Sequence, residues 1–176
     1  MTRARTLVVR PVVEDDWQRL RALRLEMLAD TPIAFEERIE SAERRSEAEW
    51  RMRAARGDQP TTTTLVAEEA DGSWVGTMGA YVPPGASLPW LVAVYVTPSR
   101  RGRRHGVSEA LLDAIEEWAA ARGDTLVLEV HESNDRARAF YERHGFHLTG
   151  KTRPYPFDTA SNELQMVKRL PRTALP

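Results

Sequence analysis

An apolar run, Leu91-Val-Ala-Val-Tyr-Val96, is followed by a basic turn with two glycines, an amphipathic stretch and a second apolar run from Thr125 to Val130. Strand, helix and strand in that order require a crossover that brings the chain back parallel to itself. The stretch from Gly106 to Ala121 supplies the helix: Val107, Leu111, Leu112, Ile115 and Trp118 fall on one stripe, and Gly123 stops it. Leu91–Val96 is apolar on both faces, which predicts a central strand covered on both sides.

Around this unit the pattern is regular. Leu7–Arg10 reads as a strand ended by Pro11, and Glu14–Leu28 as a helix carrying Trp17, Leu20, Leu23, Met27 and Leu28, with Asp15 or Asp16 at its start. Thr31-Pro32 interrupts it. A second, more polar helix is predicted from Ile33 or Glu36 to Arg56, with a break near Ser41 or Ser46. Strands 63–68 and 74–82 form an antiparallel hairpin about Ala70-Asp-Gly72. After the 125–130 strand come a helix over 135–144 and strands over 146–150 and 163–170, the last two separated by a loop containing Pro154-Tyr-Pro156. The tail from Pro171 to Pro176 is expected to fray. The fold class is therefore α/β with a mixed sheet. Neither a repeat nor a long linker divides residues 1–176, so one domain is expected, with its core over about 7–170.

The chain has no cysteine, which excludes disulfides, thiolate metal sites and a thiol nucleophile of its own. Four scattered histidines lack ligand spacing, so no metal is expected. A formal charge of −1 gives no field toward nucleic acid or anionic membrane. Met1–Thr6 leads into Leu7 without a signal-peptide core, and no run approaches ~18 apolar residues. A cytoplasmic protein with neither membrane nor nucleic-acid partner is the expectation.

The segment richest in chemistry is Arg100-Arg-Gly-Arg-Arg-His-Gly-Val-Ser108, between strand and helix. A helix start exposes unpaired amide hydrogens and the positive end of aligned peptide dipoles. Gly102 and Gly106 let phosphate oxygens approach the main chain, and Arg100, Arg101, Arg103, Arg104 and His105 surround that position. The P-loop pattern GxxxxGK[ST] is absent, as is GxGxxG after the first strand, which argues against nucleotide hydrolase and dinucleotide folds. A solvated basic turn and a basic-loop nucleic-acid binder are the competing readings.

This segment resembles the acyl-CoA-binding signature of the GCN5-related N-acetyltransferase (GNAT) superfamily, Arg/Gln-x-x-Gly-x-Gly/Ala, read here as Arg103-Arg104-His105-Gly106-Val107-Ser108. Ser108 replaces the last small residue. The loop is about two residues longer than usual, so Arg101 also fits as the opening residue; only Arg103 places Gly106 and the Leu111-Leu112 pair at the usual separation. A second block, Leu128-Glu-Val130, Asn134, Ala137, Phe140-Tyr141-Glu142 and Gly145-Phe146, is similar to the family's strand–asparagine–helix block.

The resemblance implies a GNAT-like, largely antiparallel sheet flanked by helices, splayed between strands 90–96 and 125–130. It implies acetyl-CoA as acyl donor, its diphosphate on the amides of 103–108 and its arm on backbone amides near Val94 and Val96 and on Asn134. Tyr141, seven residues beyond Asn134 and near its helix face, would protonate the leaving thiolate. Direct transfer to an amine in a ternary complex follows from the missing cysteine. A non-catalytic acyl-CoA-binding domain is the rival, because the central strand lacks the carboxylate many relatives use as a base. Glu129 and His131, on one face of their strand by alternation, are the candidates to replace it, with Glu36 and Glu37 as rivals. The acceptor, an amine-bearing small molecule or peptide, would meet walls from 29–37 and 152–161. Phe35, Trp90, Tyr155 and Phe157 supply apolar surface there, and Glu36, Glu37 and Asp158 supply negative charge. A homodimer through the last strands is also expected.

Overall fold

The structure, a computed structural model, describes residues 7–171. Strand β1 (Leu7–Pro11) leads through a 3-10 turn into helix α1 (Trp17–Asp30), then α2 (Ile39–Glu43) and α3 (Glu47–Ala55). Strands β2 (Asp58–Gln59), β3 (Thr62–Glu69), β4 (Trp74–Tyr81) and β5 (Trp90–Val96) follow. The second half runs α4 (Val107–Ala120), β6 (Thr125–His131), α5 (Asp135–Arg143), β7 (His147–Tyr155) and β8 (Asp158–Arg169). The sheet order is β1-β3-β4-β5-β6-β8-β7, with β2 beside β3. Every pairing is antiparallel except β5 with β6, the pair joined by the α4 crossover.

Helices cover both faces of the sheet because its strands alternate apolar residues toward both. Leu65 and Ala67 pack with Leu111, Leu112 and Ile115 of α4, together with Leu126 and Leu128 of β6. Val66, between them, faces the other way, into Leu20, Leu23, Met27 and Leu28 of α1 and Trp50 of α3. Truncating Leu111, Leu112 or Ile115, all fully buried, to alanine costs on the order of 2–5 kcal/mol. Gly76 lets α4 approach closely: a Cβ there would lie 3.0 Å from Val107 and 3.1 Å from Leu111.

The strand pair β5–β6 opens into a fork. Its single register pair is Trp90 with Val127, and beyond it the strands separate. Toward β4, Val92 lies opposite Gly79 and Tyr95 opposite Thr77, so Ala93 and Val94 share Met78. Ala93 takes a left-handed φ of 54° to make this bulge. The extra residue resets the alternation: Leu91, Val94 and Val96 face α4, while Ala93 and Tyr95 face α1. Strand 91–96 is therefore covered on both sides, as expected, except at Val92. Val92 is 39% exposed, because β6 has already turned away.

The expected break in the polar helix falls at Ser46, which caps α3: its hydroxyl accepts from the Glu49 amide at 3.3 Å, and its own amide donates to the Glu49 carboxylate at 2.7 Å. Two boundaries differ from expectation. Pro154 lies within strand β7 rather than in a loop. It is tolerated because β7 is an edge strand, pairing only with β8. Asp58–Gln59, between the polar helix and the first hairpin strand, where no strand was expected, forms the short strand β2. Residues 172–176 of the expected frayed tail lie outside the described residues.

Candidate functional site

The basic turn is built from two left-handed glycines, Gly102 at φ 98° and Gly106 at φ 65°, around a 3-10 turn at Arg103–His105. Gly106 is also the residue before α4, and no side chain caps the helix. The first amide to bond back is that of Ala110, to the Gly106 carbonyl at 3.0 Å. The amides of Val107, Ser108 and Glu109 have no partner among the described residues. The Ser108 hydroxyl makes no capping hydrogen bond, which leaves this helix start open.

The surrounding cations separate into two groups. Arg100 is bound to Glu69 through two hydrogen bonds of 2.6 and 2.9 Å. Arg101 donates to the Val96 carbonyl at 2.8 Å, pairs with Asp30, and lies 5.5 Å over the Tyr95 ring. Both brace the turn against strands and α1. Arg103 is exposed and forms no ion pair among the described residues; Arg104 turns to His105, with Nε 3.0 Å from Nε2. Of the two register choices, Arg103 is thus the side chain free to meet an anion, and Arg101 is the brace. Neutralisation of Arg100 and Arg101 also weakens the nucleic-acid reading.

One cavity of about 290 Å³, close to the ~300 Å³ of the smaller ligand clefts, runs from Arg103 and Ser108 through the β5–β6 fork. Val94 and Val96 line one side of the fork and Asn134 and Tyr141 the other. The Asn134 side-chain oxygen caps α5, accepting from the Ala137 amide at 3.2 Å, which leaves its NH₂ group free of protein partners. Tyr141 is 6% exposed, its ring 5.6 Å from those of Phe140 and Phe146. Burial pushes its phenol above the ordinary range, so it keeps its proton at neutral pH. No described residue bonds to that hydroxyl. Such a group can donate to a ligand in the cavity.

The far end of the cavity lies on the α1 side of the sheet. Glu129 and His131 point there together, as alternation predicts, and Glu163 of β8 lies directly opposite His131 on the same face. Glu129 accepts from Arg153 Nε at 2.6 Å, and Arg153 also pairs with Glu36. His131 Nδ1 accepts the Ser133 amide at 3.2 Å, which places the ring proton on Nε2, while Tyr155 stands edge-on at 4.8 Å. Burial raises the pKa of Glu129; at Glu163 burial and the nearby Glu129 raise it, against Arg153.

The remaining expected acceptor-site residues scatter. Phe35 lines the cavity, and Tyr155 is buried with its hydroxyl 3.5 Å from the Phe35 carbonyl. Phe157 stands outside under Arg38 at 4.6 Å, and Trp90 sits at the crotch of the fork. Asp158 closes its own turn through Ala160 and Ser161. Glu37 is half-buried among Arg24, Arg45 and Arg53, away from the cavity, which removes it as a candidate base. Sequence reasoning missed Glu163, Arg153 and Arg136, of which the first and last line the cavity. Alternation puts Glu163 opposite the apolar Leu164 and Met166. Its neighbours across the ladder depend on irregular β7–β8 pairing, where the register shifts twice. No group of three or more potential metal ligands occurs among the described residues. None of their helices is long and apolar enough to cross a membrane.

The model of the Acetyltransferase (GNAT) family matches residues 21–146. A mycothiol acetyltransferase from Beutenbergia cavernae is 36% identical over 88 residues, 49% of this chain and 29% of that protein, so the match spans under a third of the relative's length. The crystal structure of a GNAT-family acetyltransferase from Streptococcus pneumoniae superposes with a TM-score of 0.78 at 20% identity, over 94% of this chain and 100% of that one. A phosphinothricin acetyltransferase from Sinorhizobium meliloti, solved with acetyl-CoA, superposes with a TM-score of 0.74 at 21% identity, over 97% and 92%. These two share the mixed sheet flanked by helices.

Proposed function

The chain belongs to the acetyltransferase (GNAT) family, and from that premise we propose that it transfers an acyl group, acetyl above all, from coenzyme A to an amine. One observation carries this reading: a single cavity joins the free helix-start amides to the Tyr141 hydroxyl through a gap in the sheet. The diphosphate of the donor fits the amides of Val107, Ser108 and Glu109, with Arg103 beside them and Arg104 and His105 at the outer edge. The arm lies along Val94 and Val96, whose edge of β5 has no strand partner beyond the fork, and meets the Asn134 NH₂. An amide near Val94 steadies the oxyanion, and Tyr141 protonates the departing sulfur.

Transfer is direct, since no cysteine exists to hold an acyl intermediate. The acceptor is an amine-bearing small molecule or peptide that reaches the carbonyl from the Phe35 and Glu163 end. We place the reaction in the cytoplasm, and assign the exposed edge strand β7, where Leu148 is 45% exposed, as the surface of a homodimer. Calorimetry with acetyl-CoA tests the donor site, with micromolar binding expected, about 7–8 kcal/mol. Thiol release with a panel of primary amines tests transfer, and the chain contributes no thiol background. Failure to bind CoA or its thioesters overturns the reading.

A further inference from the structure

Transfer to an amine needs a group to take the proton the nitrogen loses, and the central strand carries no carboxylate. We propose that Glu163, on β8, is that proton acceptor. The proposal rests on the acyl-transfer reading above and goes beyond it by naming a base on a strand that does not border the fork.

Besides the Tyr155 phenol, whose pKa burial and Glu163 raise, four titratable groups stand at the acceptor end, and their bonding distinguishes them. Glu36 is turned to Arg153 at the surface, and Glu129 accepts from the same guanidinium. His131 uses the lone pair on Nδ1 to accept the Ser133 amide, so the nitrogen left over is a donor. Glu163 is 6% exposed and lines the cavity, and its carboxylate accepts no hydrogen bond from any described residue. Arg153 lies directly opposite it across the β7–β8 ladder but spends its hydrogen bonds on Glu129 and Glu36. Burial raises the Glu163 pKa above that of an ordinary carboxylate, with Arg153 opposing and Glu129 adding to the shift, the direction that makes a carboxylate a better proton acceptor.

Position agrees with bonding. Glu129, His131 and Glu163 lie on the α1 face of the sheet, whereas Tyr141 packs with the α4 face. An acyl carbon in the fork therefore has the acid on one side and the base on the other. The neutral amine attacks the thioester carbonyl, and the N–C bond forms as its π electrons move onto oxygen. Glu163 takes the proton lost by nitrogen. As the carbonyl reforms, the C–S bond breaks with its electrons on sulfur, which receives the Tyr141 proton. Solvent carries the Glu163 proton away and reprotonates Tyr141, leaving amide and free thiol.

The test is the pH–rate profile of kcat/KM for the amine, followed by thiol release. The probes are acetyl-CoA with a polyamine, an amino-acid amide, an aminoglycoside and a short peptide. In the wild type the rate should rise with pH through the titration of one group. Glu163→Gln should lower kcat/KM by about 100-fold or more and remove that limb, while calorimetry finds the acetyl-CoA Kd within about twofold of wild type. Glu163→Ala should recover part of the rate in added formate. Transfer by E163Q within about threefold of wild type, or an unchanged acidic limb, overturns the role of Glu163 and leaves the transferase reading standing. Wild-type protein that binds acetyl-CoA yet acylates none of the four amines overturns both.

Discussion

Arg24 donates to a single Glu37 oxygen through both Nε, at 2.8 Å, and a terminal nitrogen, at 2.7 Å. Arg45 and Arg53 complete the shell around that carboxylate, tying α1 and α3 to the segments on either side of α2. The cluster holds the helical layer that forms the acceptor side of the cavity, because Arg24 also lies 4.9 Å over the Phe35 ring.

Removing Glu37 leaves three guanidiniums facing one another, two of them lowered in pKa chiefly by burial and Arg24 to about 10. Glu37→Ala should therefore cost about 3–5 kcal/mol, measured by urea unfolding at pH 7. Burial opposes ionisation of Glu37, yet Arg24, Arg53 and Arg45 together hold its carboxyl below the ordinary range. Its contribution is complete above the ordinary carboxylate pKa and is lost as pH falls through the depressed folded value. Wild type and variant should converge on acidification. Equal unfolding midpoints at pH 7 would remove this cluster from the stability account.

Tyr141→Phe should lower kcat by about 100-fold or more and leave acetyl-CoA binding nearly unchanged, since the lost hydroxyl bonds to no described residue. Burial raises the phenol pKa, so no alkaline limb from Tyr141 is expected below about pH 10. Transfer at the wild-type rate would sink the acid role.

Arg103→Ala should weaken acetyl-CoA by about tenfold, 1.4 kcal/mol. Arg122 sits at the opposite end of α4, donating to the carbonyls of Trp118 at 2.7 Å and Pro60 at 2.8 Å. Arg122→Ala should leave the Kd within about twofold and act on stability instead. Equal losses in calorimetry would contradict the helix-start phosphate site.

The raised carboxyl of Glu163 makes a stability prediction with the opposite sign to Glu37. A carboxylate whose folded pKa lies above its unfolded value costs stability once pH exceeds the unfolded value, and the cost is complete above the folded one. Glu163→Gln removes it, so the variant should be more stable than wild type at pH 7, by about 1 kcal/mol. The two should converge below pH 4. A destabilised variant at pH 7 would mean that Glu163 is paired in solution.

The crossover, the helix stripe of α4 and the open turn before it were legible because each is local: a period, a glycine, a run of arginines. The α4 stripe is read correctly at Leu111, Leu112 and Ile115, although Ala119 rather than Trp118 completes the buried set. Glu163 was not legible. Its importance comes from facing His131 across one ladder and Arg153 across another, and the bulged β7–β8 pairing hides the second register. The two roles open to Arg101 and Arg103 were likewise separable only once Asp30 and the Val96 carbonyl stood beside Arg101.

Because the strands part beyond Trp90 and Val127, the cavity reaches from Ser108 at the start of α4 to Phe35 and Glu163 on the other side of the sheet. In the proposed reaction, donor and acceptor arrive by different doors and neither has to leave for the other to enter. The layer that selects the acceptor, formed by the α1–α2 connection and the β7–β8 hairpin, can change its side chains without loosening the grip on the donor. New acceptors are then reachable by substitutions confined to one side of the sheet.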